Sequence, residues 1–246
     1  MLICVVPSAG LGSRLGAKVP KLFVDVTPKR KVIDILESNI CDFVDECCFV
    51  IRPDMVDAFG KYSTNSKSTY VIQQEPLGMG DAIFKASRKF SKYDEVLVIW
   101  GDQVSLNRET LERVIRSHRD SESFCTIPLV KKTDPYVHYE IDTSNKFINL
   151  LQSREGDMLP SIGNSDIGIF LLNSESILSE WDRFLSQDIS LGNITNEINF
   201  LPFLFFLAKS GKKMNFIHVA DSFESLGMNT PDELERLRHD LIERGR

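Results

Sequence analysis

The stretch Pro7-Ser8-Ala9-Gly10-Leu11-Gly12-Ser13-Arg14-Leu15 has the residue types needed to hold phosphate. Glycines at positions 10, 12 and 16 let backbone N–H groups approach an anion, and successive N–H groups form an anion-binding concavity. Arg14 adds a planar bidentate donor, and Pro20-Lys21 follows within reach. The spacing excludes other phosphate loops. Gly10 and Gly16 enclose five residues where a Walker loop encloses four, and Ala17 stands where Lys-Ser/Thr is required. Leu15 occupies the place of the third glycine of a dinucleotide fingerprint. No tyrosine is followed four residues later by lysine, which removes the dyad of a short-chain dehydrogenase.

Three later segments have a similar character. Gln73-Gln74-Glu75-Pro76-Leu77-Gly78-Met79-Gly80-Asp81-Ala82 joins a strand-like run to a helix-like one. Its glycines allow close backbone approach at a helix N-terminus, and the Gln73 amide suits the edge of a nucleobase. Val96-Leu97-Val98-Ile99-Trp100-Gly101-Asp102 is an apolar strand ending in Gly-Asp. In an open α/β sheet ligands bind at the carboxyl ends of strands, so Asp102 is placed to hold a divalent cation on phosphate oxygens. Glu224-Ser225-Leu226-Gly227-Met228-Asn229-Thr230 offers Asn229 as a second oxygen ligand.

The elements that position these segments alternate. Strands are expected near 2–7, 46–51, 69–73, 95–100 and 123–129, with helices near 32–42, 54–60, 79–90 and 107–118. Such alternation implies parallel βαβ units and a doubly wound sheet. From about Asp134 the rhythm shifts to short strand candidates, Tyr139–Asp142, Phe147–Gln152 and Ile167–Leu172, read as an antiparallel insertion that completes a cleft. The Phe-rich run Ile198–Lys209 reads as a core helix and Met214–Val219 as a further strand. Thr230-Pro231-Asp232-Glu233 then opens a helix with Thr as N-cap, Pro at its first position and Glu in a capping box. The expected organisation is one domain over 1–246: a nucleotide-binding half (1–133), an acceptor-binding half (134–229) and a C-terminal helix (230–246).

A net charge of −6 and the lack of a basic stripe argue against a nucleic-acid partner. Five cysteines, odd in number and without CxxC spacing, read as buried free thiols in a reducing compartment. The longest apolar stretch, Phe200–Ala208, is too short to span a bilayer and contains Pro202. A strand at the very start leaves no leader pattern, so a cytoplasmic protein without a membrane partner is expected. A homo-oligomer is left open.

Taken together the four segments resemble the sugar-phosphate nucleotidyltransferase family. Its members carry a glycine loop with Arg then Pro-Lys, a Gln…Leu-Gly-x-Gly-x-Ala segment, a strand ending Gly-Asp, and a late Gly-x-Asn before a helix. Order and approximate spacing agree over nearly the whole chain. Within the family the chain is most similar to uridylyltransferases that make UDP-N-acetylglucosamine, then to glucose-1-phosphate thymidylyltransferases. The resemblance implies a Rossmann-like α/β fold of the nucleotide-diphospho-sugar transferase type, with a mixed, mainly parallel sheet and a small antiparallel insertion on the acceptor side. It implies that Ala9, Gly10, Gln73 and Gly78 contact a pyrimidine base, with Gly12, Ser13 and Met79 also in the nucleotide site. Arg14 and Lys21 would bind the triphosphate and act in catalysis with Asp102. Asp102 and Asn229 would hold Mg²⁺. Tyr139, Gln152 and Asp166 fall where the family binds its acceptor. Met79 departs from the Thr common there, and Gln152 and Asp166 stand where an acid and an Asn are usual, so the nucleotide half matches better than the acceptor half. The implied reaction moves NMP from UTP, dTTP or CTP to a phosphorylated acceptor, a sugar 1-phosphate by the resemblance, with release of pyrophosphate. Two other readings are a glycosyltransferase of similar fold and a nucleotide-binding regulator without catalysis.

Overall fold

The computed structural model describes residues 1–10 and 12–244, with only the backbone of Ser13 and Asp188. Strand β1 (Leu2–Pro7) is buried on both faces, and its alternating side chains enter two cores. Cys4 and Val6 point to one and Ile3 and Val5 to the other, which is why the run is apolar throughout rather than alternating. A glycine loop and a small hairpin, β2 (Asp25–Thr27) with β3 (Arg30–Lys31), lead into helix α1 (Val32–Ile40). Then follow β4 (Glu46–Ile51), α2 (Val56–Tyr62), β5 (Ser68–Ile72), α3 (Met79–Lys85), α4 (Ser87–Phe90), β6 (Glu95–Ile99) and α5 (Arg108–Ser121). The chain continues with β7 (Cys125–Thr133), β8 (Val137–Ile141), β9 (Phe147–Gln152), β10 (Ile162–Asp166) and β11 (Ile169–Asn173). It ends with α6 (Ile177–Leu185), α7 (Leu201–Lys209), β12 (Met214–His218) and α8 (Pro231–Glu243).

The main sheet has the order β10-β7-β11-β6-β1-β4-β5, with β12 pairing the first part of β7 on the edge that β10 pairs further along. The pairs β1–β4, β1–β6, β4–β5 and β7–β12 are parallel; β11 runs antiparallel to β6 and β7, and β10 antiparallel to β7. The sheet is therefore mixed and mainly parallel, as expected. The antiparallel segments divide: β8 and β9 form a separate hairpin, while β10 and β11 join the main sheet. The hairpin leans on β10 through Asn164 N–H donating to His138 Nδ1 (3.0 Å) and Ser165 Oγ donating to the Val137 carbonyl (2.6 Å).

Helices α1, α5 and α8 cover one face, and α3, α6 and α7 the other. The Phe-rich run is indeed a core helix: Phe203, Leu204 and Leu207 are buried against Trp181, Phe184 and Phe84. The expected helix over 79–90 divides at Ala86, and α6 was not anticipated. All five cysteines are buried and unpaired by disulfide. Among the described residues no helix is long and apolar enough to cross a membrane. The expected terminal helix is α8; residues 245 and 246 lie outside the described chain.

Candidate active site

The first wall of the cleft is the glycine loop. Ala9 is buried and Gly10 exposed at the end of β1. Gly12 has φ +60°, a left-handed conformation open to glycine, and its carbonyl accepts from Leu15 N–H (3.0 Å) to start the turn Ser13–Leu15. The Ser13 side chain lies outside the described atoms. Arg14 is exposed, and its Nη1 donates to the Tyr136 hydroxyl (3.3 Å) across the cleft.

The loop is held from below by a residue that sequence reasoning had passed over. Arg52 follows β4, and its Nη1 donates to the carbonyls of Gly10 (2.9 Å) and Ala9 (3.3 Å). Its Nε and Nη2 grip Asp54 in a two-pronged pair (2.9 and 3.0 Å). That pair holds the Asp54 carboxyl below the usual carboxylate range. With its carbonyls turned toward Arg52, the loop backbone is fixed in one orientation. The available signal was position: an arginine directly after a central parallel strand lies at the same sheet edge as Asp102.

Lys21 begins a short turn whose Leu22 and Phe23 are buried, so the backbone under it is anchored. Its Nζ donates to Asp102 Oδ2 at 2.9 Å and to Asn229 Oδ1 at 3.0 Å. Three residues separated by 81 and 208 positions thus meet at one point, with the Lys21 and Asp102 side chains 20% and 18% exposed.

Both oxygens are positioned by their surroundings. Gly101 lies so close to β1 that an added Cβ would stand 2.5 Å from Ser8 Oγ and 2.8 Å from the Pro7 carbonyl. Only glycine lets β6 deliver Asp102 there. Asn229 precedes α8, whose capping box pairs Thr230 Oγ1 with Glu233 N–H (3.2 Å) and Glu233 Oε2 with Thr230 N–H (3.1 Å). The same Glu233 oxygen accepts from Asn229 N–H (2.7 Å), so the cap fixes the backbone at Asn229. Gln103, buried beside Asp102, donates its amide to the carbonyls of Ile167 and Glu224 (2.7 Å to the latter) and ties the β6 end to the loop before Asn229.

Gln73 is only 3% exposed, and its Nε2 is engaged, donating to Asp81 Oδ2 (2.8 Å) and to the Gly78 carbonyl (3.3 Å). A carboxylate accepts only, so Asp81, also paired with Lys85 (3.1 Å), dictates that the amide nitrogen faces it. Nε2 is thereby occupied, and Oε1 is the remaining handle of the Gln73 amide. Gly78 has φ +120° and sits against Ile198, where a Cβ would meet the carbonyl oxygen at 2.6 Å. Gly80 N–H donates to the Ile198 carbonyl (2.9 Å) and Ile198 N–H to the Leu77 carbonyl (2.8 Å). Met79 opens α3 and is half-buried.

The acceptor-side residues do not all reach open space. Tyr139 is fully buried, stacked on Phe147, and donates its hydroxyl to Asp166 Oδ2 (3.1 Å). Hydrophobic residues of the second core enclose the ring. Burial pushes the Asp166 carboxyl above its ordinary range, opposed by hydrogen bonds from Gly168 N–H (2.8 Å) and Tyr139. Gln152 is also buried at the end of β9, its backbone N–H bonded to Asp157 (2.8 Å). Tyr136, exposed and in contact with Arg14, is the nearer link between the two halves.

The chain is similar to curated proteins and to solved structures. A bifunctional protein GlmU from Pseudothermotoga lettingae is 27% identical over 71% of this chain and 39% of its own length. GlmU proteins from Buchnera aphidicola and Carboxydothermus hydrogenoformans are 26% and 24% identical over 95% and 98% of this chain, and 49% and 53% of their own lengths. The chain thus spans about half the length of the curated relatives it matches. Among solved structures, a Bacillus anthracis protein assigned as a glucose-1-phosphate thymidylyltransferase superposes with TM-score 0.76 at 18% identity, covering 97% of this chain and 94% of that one. HddC from Yersinia pseudotuberculosis superposes with TM-score 0.70 at 20% identity over 98% of this chain and 100% of its own. These two establish the fold. The profile of the MobA-like NTP transferase domain matches residues 4–162, well over half of the sequence, and the chain belongs to that family.

Proposed function

We propose that the protein is a sugar-phosphate nucleotidyltransferase: it moves a nucleotidyl group from UTP or dTTP to a sugar 1-phosphate and releases pyrophosphate. The observation that carries this reading is the meeting of Lys21 with Asp102 and Asn229 at the strand ends beside the glycine loop. A phosphate oxygen of the acceptor attacks the α-phosphorus, the bond from that phosphorus to the bridging oxygen breaks, and pyrophosphate leaves. The attacking oxygen is already ionised, so no side chain need remove a proton, and positioning with charge neutralisation supplies the rate.

Asp102 and Asn229 present hard oxygens that converge on one cation, the donor set that suits Mg²⁺. When bound there, Mg²⁺ neutralises phosphate charge. Arg14 and the backbone of Gly10 and Gly12 hold the triphosphate. Lys21 neutralises charge that grows on the departing pyrophosphate. Gln73 Oε1 accepts from the N3–H of uracil or thymine while the Gly78 backbone meets the ring. Asp166 and Tyr136 face the acceptor, with Tyr139 positioning Asp166.

The glycosyltransferase reading wants Asp-x-Asp at the metal. Here Gln103 is a buried tie and Val104 is core, so the position offers no second carboxylate. The non-catalytic reading leaves the converging Lys21, Asp102 and Asn229 without a purpose.

The test is pyrophosphate release across a panel of nucleoside triphosphates and sugar 1-phosphates. UTP or dTTP is expected to exceed ATP and GTP by at least roughly a hundredfold in kcat/KM, the scale on which a site built around substrate hydrogen bonds and shape discriminates. A purine triphosphate with the higher kcat/KM would overturn the base assignment. Arg52→Ala is expected to raise KM for the nucleotide about tenfold with kcat little changed, because it removes charge-assisted hydrogen bonds that orient the loop. Steady-state kinetics with saturating acceptor checks this.

A further inference from the structure

The same three residues bear on how the cation arrives, an inference that rests on the site proposed above. Lys21 Nζ lies 2.9 Å from Asp102 Oδ2 and 3.0 Å from Asn229 Oδ1. The ammonium therefore stands where those two oxygens would hold a metal. A Mg²⁺ bound by both at roughly 2.1 Å on the side the ammonium occupies would lie nearer to Nζ than two cations tolerate. On that side metal and lysine compete for the same two oxygens.

We infer that Lys21 is a built-in competitor for the divalent cation, and that the site takes its metal as the metal–nucleoside triphosphate chelate rather than as the free ion. The chelate delivers a cation to Asp102 and Asn229 and, in the same event, gives the displaced ammonium phosphate oxygens to pair with. A free cation offers no such exchange and would leave Lys21 without an anionic partner. The geometry permits the move. Lys21 has a flexible four-carbon stem and is partly exposed, while its backbone is anchored by buried Leu22 and Phe23. The glycine loop lies directly beside the stem, since a Cβ on Gly12 would stand 3.7 Å from Lys21 Cβ. A swing of the side chain, with no backbone shift, carries the ammonium from the oxygens toward the phosphate loop. By linkage, nucleotide and metal then raise each other's affinity by the same factor.

The experiment is titration of the full chain with Mn²⁺ alone, free ion being followed by electron paramagnetic resonance, without nucleotide. Wild type and Lys21→Arg are expected to bind Mn²⁺ weakly, and Lys21→Met at least tenfold more tightly. Lys21→Gln serves as a second neutral variant should Lys21→Met fail to give a cooperative melt. Adding Asp102→Ala to the neutral variant should abolish the gain. If a folded neutral variant binds no more tightly than wild type while Asp102→Ala weakens binding in both, the competitor role fails and the metal site stands. If the gain survives Asp102→Ala, the metal lies elsewhere and both readings fall.

Discussion

Asp102→Ala is expected to lower kcat by roughly a thousandfold or more, beyond the scale of losing one preorganised electrostatic contact. Among the described residues Asp102 supplies the carboxylate that meets Lys21 Nζ and Asn229 a neutral oxygen. Without it the cation is held by one weak ligand, and the phosphate charge is left to Arg14 and Lys21. The fold should survive. The side chain is partly exposed, and its one ion pair is of a kind that contributes on the order of 1 kcal/mol or less. The turn it occupies is made by backbone bonds, with Val104 N–H on the Asp102 carbonyl and Gln103 N–H on the Trp100 carbonyl (both 3.0 Å). Pyrophosphate release and thermal unfolding are measured together. Turnover that persists in the variant, or that ignores EDTA, would sink the metal assignment.

Lys21→Ala should lower kcat about a hundredfold while KM for the nucleotide stays nearly constant. In the free protein Lys21 already has two anionic or polar oxygens as partners. Binding substrate exchanges them for phosphate oxygens, so the ground state gains little. Charge on the leaving group grows only as the bond breaks, and the gain appears there. Arg14 starts from a different place. It is exposed, and among the described residues its hydrogen bond is the long one to Tyr136, so triphosphate binding is a net gain for it. Arg14→Ala should therefore raise KM as well as lower kcat. A Lys21→Ala enzyme altered only in KM would mark Lys21 as a binding residue.

The central strands were plain in the sequence because burial on both faces leaves β1, β4 and β6 apolar from end to end. The cap of α8 was equally plain, because Thr230 and Glu233 act within one turn. Strand β10 was not. Ile162-Gly163-Asn164-Ser165-Asp166 has no apolar alternation, and its strand character comes from pairing with β7. Helix α6 follows β11 after a tight turn at Ser176, whose φ of +62° carries no glycine to announce it. In the site, Lys21, Asp102 and Asn229 could be named from local motifs, since each ends a strand or opens a turn. The support of Arg52 and the fixing of the Gln73 amide by Asp81 could not. Both depend on hydrogen bonds whose direction only the packed structure sets.

Strand β11 comes from the second half of the chain yet lies between β6 and β7 of the first. A chimera that joins residues 1–133 of this protein to the remainder of a distant relative would replace an interior rung of its own sheet. The two halves are accordingly not heritable modules. Recombination among relatives that preserves folding must exchange surface loops, while the β6–β11–β7 seam descends as one block.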